Sequence, residues 1–135
     1  MSGTTWRVVL AVVVGAHGIG HVLFLVNCLG LADWTQSTRS WLLTNLLGDT
    51  VTRGVGSLLW FAAMAGFIAV AVGIMGQSAW WRTLAIGSSV VSLVALALFL
   101  DKNPTQPAIS AGLFDVAVLV ALLVLRWPTS SIVGP

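Results

Sequence analysis

Long apolar runs alternate along this chain with short polar islands. Four runs reach the roughly 20 residues a helix needs to cross a bilayer core at about 1.5 Å per residue. They cover residues 6–29, 55–75, 80–100 and 108–127, and the polar islands between them fall at 33–53, 76–78 and 101–107. Period-two alternation is absent, so a membrane β-barrel is not expected. Only helices then satisfy the backbone within lipid. The pattern predicts an all-α fold, a four-transmembrane-helix bundle forming a single domain over residues 1–135. In the longest island, Trp41, Leu42, Leu43, Leu46 and Leu47 recur at helical spacing and Gly48 follows. That arrangement predicts a short interfacial helix between spans 1 and 2, with Gly48 as its stop.

Tryptophans mark the expected boundaries. Trp6, Trp80, Trp81 and Trp127 stand where three of the four spans meet the face that carries both chain ends, as interfacial indoles do. Trp34 and Trp41 fall in the long island. Small residues recur at helical spacing in every span, including Ala16 with Gly20, Ala62 with Gly66, Ser88 with Ser92 and Ala117 with Ala121. Such pairs let neighbouring backbones approach closely in lipid.

Composition strengthens this picture. Of 135 residues, 58% are hydrophobic and only 7% charged, against about a quarter charged in soluble domains. The formal net charge of +2 is scattered, and no basic cluster exists for nucleic acid to read. The lone cysteine, Cys28, excludes an intrachain disulfide. Arg7 before an apolar stretch is similar to the start of a signal peptide. No A-x-A-like site follows, however, and the first helix is expected to remain. The basic residues tie across the two faces, with Arg7, Arg82 and Arg126 opposing Arg39, Arg53 and Lys102. Because Arg7 flanks the first helix, both termini are expected in the cytoplasm.

Against this background, three ionisable residues inside the spans demand an explanation. His17 and His21 are one helical turn apart on the first span, and Asp115 lies within the fourth. Ionisable groups in a membrane helix are costly unless paired or hydrated, and so mark functional candidates. Counted from the distal face, His21 and Asp115 lie at depths of roughly 12 Å and 10 Å, which brings them within reach of each other. Trp60 and Ser92 share that level, with Arg53 nearer the surface. A pocket of His21, Asp115, Trp60, Ser92 and Arg53 is therefore expected, with Arg53 either a carboxylate clamp at its mouth or a snorkelling interfacial side chain.

Several roles fit the cluster: a packing pair, a proton-linked or small-ligand pocket, or metal or haem ligation through His17 and His21. In the last case Asp115 is the third metal ligand, and Gly18 and Gly20 offer a macrocycle room. No complete catalytic motif is present; Cys28 or Ser92 beside His21 lacks any nucleophile-turn signature. The expected function is accordingly a non-enzymatic one, an accessory subunit or a small-ligand or proton-linked pocket without a cofactor; the alternative is metal or haem binding through His17 and His21, with or without redox activity. The expected partners are the lipid bilayer and a membrane protein or a second copy.

His17-Gly18-x-x-His21, Gly56-x-Leu58-Leu59-Trp60, Trp80-Trp81-Arg82 and the turn containing Asp101 together resemble a group of small bacterial four-helix integral membrane proteins of uncharacterised activity. The resemblance implies a four-helix fold in a bacterial cytoplasmic membrane and supplies no activity. Asp115 departs from it, since that group has a neutral Asn near this point.

Overall fold

The computed structural model describes residues 2–33 and 36–134. Its regular elements among the described residues are all helices, and four of the helical stretches are long and apolar enough to cross a membrane. The first span is built from α1 (Gly3–Gly20) and α2 (Val22–Cys28), joined at His21. The second is α3 (Leu43–Met75), the third α4 (Trp81–Leu98). The fourth is α5 (Gln106–Leu119), continued by a π-helical turn over Val120–Val124. A short α6 (Ser130–Val133) follows. The chain is a multi-pass membrane protein.

Helix ends follow local chemistry. Ser2 caps α1 by accepting a hydrogen bond from the Thr5 N–H, and Pro107 sits in the first turn of α5, where its missing N–H is harmless. Gly48 takes φ +80° inside α3 and divides it into a short piece from Leu43 and the membrane-crossing piece from residue 49. A left-handed φ suits glycine, so the expected stop is there. Trp41, Leu42, Leu46 and Leu47 around the short piece are exposed, an apolar surface suited to the membrane plane. Trp41 Nε1 donates to the Ala97 carbonyl at 2.8 Å, satisfying one of the last carbonyls of α4. Trp34 lies outside the described residues.

Three differences from the sequence pattern have physical causes. The second span starts about two turns before residue 55, because Thr52 and Arg53 are helical although too polar to register as membrane core. Trp81 is not an interfacial indole: it is buried between α3 and α4, with the Arg82 guanidinium 4.8 Å from its ring centre. Trp6 and Trp127 do pair edge to face at 5.9 Å, and Trp80 is half-exposed. The tail also folds back, Val133 of α6 being completely buried against the end of α1.

Close helix packing runs from span 1 to span 2, then to 3, then to 4; the side between spans 1 and 4 is closed mainly by side chains. The faces in contact are lined with small residues. Gly66 lies against Ser88, and Ser88, Ser89 and Ser92 are all buried on α4. On span 1 the close approach is made at Gly18, not at the expected Ala16 and Gly20, which face outward. A Cβ on Gly18 would stand 2.9 Å from Phe67 Cβ and 3.2 Å from the Ile68 nitrogen, whereas one on Gly20 would meet nothing within 4 Å. Apolar clusters fill both ends of the bundle, around Phe67, Ile74 and Trp81 on one side and Phe24, Trp60 and Phe99 on the other.

The contrast between the two glycines is testable. Gly18→Ala should destabilise the bundle by about 1–3 kcal/mol through overpacking. Gly20→Ala should be neutral or stabilising by up to about 1 kcal/mol, since only helix propensity changes. Unfolding in mixed micelles, followed by circular dichroism, measures both.

Candidate functional site

Between the two apolar clusters lies a polar layer, and its geometry begins with a local distortion of span 1. The His21 N–H bonds to the Gly18 carbonyl at 3.1 Å, a tightened turn in place of the ordinary bond to His17. The His21 side chain compensates, its Nδ1 lying 3.0 Å from the His17 carbonyl oxygen. A carbonyl only accepts, so Nδ1 carries the hydrogen and Nε2 is left with its lone pair. Ser92 Oγ is 2.8 Å from that Nε2 and donates to it. Trp60 and Phe67 pack near the ring, at centroid distances of 5.9 and 5.8 Å.

His17 makes the contact with Asp115, its Nε2 lying 3.0 Å from Oδ1. Asp115 and His21 do stand within reach of each other, their donor atoms no more than 4.8 Å apart, but the hydrogen bond of Asp115 is made with His17, one turn away on span 1. Depth does not decide the matter, because Asp115 has donor atoms of both histidines within 4.8 Å. Rotational phase does: residues i and i+4 differ by about 40° around a helix. His17 is turned towards span 4, and His21 towards Ser92 of span 3 and Trp60 of span 2. Phe114 stacks on His17 at 4.0 Å and Phe67 meets it edge-on at 4.7 Å. Neither phenylalanine was singled out in the sequence, although Phe114 adjoins Asp115 and Phe67 follows Trp60 by two helical turns.

Asp115 is completely buried, and its Oδ2 has no hydrogen-bond partner among the described residues. Leaving a buried carboxyl oxygen unsatisfied costs on the order of 1–3 kcal/mol or more. Donor atoms of His17, His21 and Asp115 all lie within 4.8 Å of one another, so these three can hold a metal ion. A haem fits less well. Gly18, expected to give a macrocycle room, is packed against span 2, and Phe114 covers a face of His17.

Arg53 stands apart from this cluster. Its Nε donates to the Cys28 carbonyl at 2.9 Å, placing a cation at the C-terminal end of α2. It borders a separate cavity of about 340 Å³ with Asn27, Asp33 and Thr38. Of the five expected pocket residues, His21 meets Ser92 and Trp60 directly and has Asp115 within 4.8 Å, whereas Arg53 lies elsewhere.

A groove of about 390 Å³ leads to the layer between spans 1 and 4. His17 and His21 line its deep part, Gly20, Phe24 and Phe114 its walls, and Gln106 and Ser110 its end near the distal face. The open side of Gly20 adjoins this space.

No family model matches the chain, and no curated protein or solved structure matches it. The class defined by fold and site is a four-span membrane protein with a buried His–His–Asp layer.

The pairing can be tested by double-mutant cycles on stability. His17→Ala with Asp115→Asn should show a coupling of about 1 kcal/mol or more, and His21→Ala with Asp115→Asn less than about 0.5 kcal/mol. The reverse order would contradict the geometry.

Proposed function

We propose that this chain is a membrane-embedded small-molecule-binding protein of a bacterial cytoplasmic membrane, with both termini in the cytoplasm. Its ligand is an amphiphile dissolved in the bilayer, which enters sideways between spans 1 and 4 and directs a polar head towards His17. The observation that carries this reading is the groove itself. It has apolar walls, two histidines at its deep end, and a glycine whose missing side chain leaves it open. Ligand sites are commonly concave and apolar, with a few convergent polar groups, and this one lies on the side where the backbones are not packed together. His17 suits the recognition role, because Asp115 fixes its ring through Nε2 and no hydrogen bond engages Nδ1 among the described residues. The orientation rests on Arg7 beside the first helix, and the bacterial setting on the resemblance carried by His17-Gly18-x-x-His21 and Trp80-Trp81-Arg82.

Native mass spectrometry of the protein released from its own membrane tests the groove. A small-molecule adduct should be present on the wild type and on Gly87→Leu, whose new side chain also meets open space but lines no part of the groove. Gly20→Leu, which fills the groove, should reduce adduct occupancy at least about tenfold, the scale of a lost apolar contact set. No adduct on the wild type, or equal adducts on all three proteins, would refute the reading.

A further inference from the structure

We propose that His17, His21 and Asp115 are the three protein ligands of a divalent transition-metal site of the zinc type, its remaining coordination position facing the groove between spans 1 and 4.

Donor spacing is the first argument. Two donors bound about 2.0–2.1 Å from one ion stand roughly 3.0–3.4 Å apart at angles between square and tetrahedral. His17 Nε2 and Asp115 Oδ1 are 3.0 Å apart, so they can share an ion where they stand. The widest donor pair in the set is 4.8 Å. One ion spans at most roughly 4.2 Å, so the third donor closes in by side-chain rotation.

The second argument is the tautomer of His21. Metal-bound histidines commonly donate their other ring N–H to a carbonyl or carboxylate, which orients the ring and bares the ligating nitrogen. His21 has that arrangement through the His17 carbonyl, so Nε2 presents a lone pair. Without metal, the Ser92 hydroxyl occupies that lone pair; with metal, the hydroxyl is released.

Asp115 supplies an independent observation. Its Oδ2 is buried and has no partner among the described residues. A cation provides the missing interaction, and a carboxylate is a ligand that can use either oxygen.

Ligand chemistry narrows the ion. Two imidazoles and one carboxylate suit Zn²⁺, Co²⁺ or Fe²⁺, whereas Ca²⁺ and Mg²⁺ prefer all-oxygen shells and Cu⁺ prefers sulfur. Cys28 is outside the set, packed beside Gly56 near Phe99. A dication with one carboxylate retains a positive charge, which is costly in hydrocarbon. An anionic ligand at the open position, hydroxide or the head of a groove ligand, neutralises it. Both histidines line the groove, so such a ligand has a path to the ion. Metal binding does not depend on the groove having an amphiphile of its own.

The test uses the full chain in nanodiscs, stripped with chelator and titrated with Co²⁺. The wild type should bind one equivalent with the visible absorption of four- or five-coordinate cobalt, displaced by Zn²⁺. His17→Ala, His21→Ala and Asp115→Asn should each lose the bands or weaken binding at least about tenfold, while Ser92→Ala should bind as well or better. Circular dichroism and size-exclusion profiles establish that each variant is folded. Should a variant fail to fold, X-ray absorption of the cobalt-loaded wild type should show a nitrogen and oxygen shell with scattering from two imidazoles. Absent bands at saturating Co²⁺, bands that survive all three substitutions, or a shell without imidazole would overturn the proposal. Gly20→Leu should keep one cobalt per chain, so a failure of the groove reading and a failure of the metal site remain distinguishable.

Discussion

Hydrocarbon offers no hydrogen bonds, so a polar atom in the bundle is costly unless it finds a partner within the protein. Asp115 imposes that requirement most strongly, as a carboxyl group completely buried in the fourth span. Its bond to His17 joins spans 1 and 4 where their backbones are not closely packed. His17 in turn receives, at its carbonyl, the Nδ1 hydrogen of His21, and His21 reaches Ser92 on span 3. One chain of hydrogen bonds thus crosses three of the four spans. Its members occupy a layer between two apolar clusters.

The same layer sets the packing around it. Gly18 lies between the two histidines in sequence and faces span 2, allowing α1 to approach the backbone at Phe67 and Ile68. That contact fixes the rotation of span 1 and so directs His17 to one side and His21 to the other. Gly20, two residues on, is then left on the open side, where it widens the groove. Packing and site geometry are two results of a single rotational setting. A side chain at Gly18 would disturb both, whereas one at Gly20 would alter only the groove.

Much of the fold was legible in the sequence because bilayer thickness leaves a strong length signal. Four apolar runs, the Gly48 break and the exposed leucines before it all have local causes, and the structure has them. Boundaries were less legible: Thr52 and Arg53 are polar and helical together, so hydropathy placed the start of span 2 too late. Trp81 shows the limit of residue type as a guide, since indoles favour interfaces but this one fills space beside Gly73 in the core. The site was legible as a set, His17, His21 and Asp115, but its pairing was not. Sequence spacing gives depth along a helix to within a turn; it does not give rotation about the axis. The roughly 40° between His17 and His21 decided which one bonds to Asp115, and Arg53 was drawn away by the Cys28 carbonyl at the end of α2.

The central claim is that Asp115 and His17 are bonded directly within the membrane. Solid-state NMR of the protein in lipid, with ¹⁵N-labelled histidine rings and ¹³C-labelled aspartate, measures this most directly. The structure predicts short-range magnetisation transfer between His17 Nε2 and the Asp115 carboxyl carbon, with none from either ring nitrogen of His21. Transfer from His21 instead, or no transfer from either histidine, would contradict it.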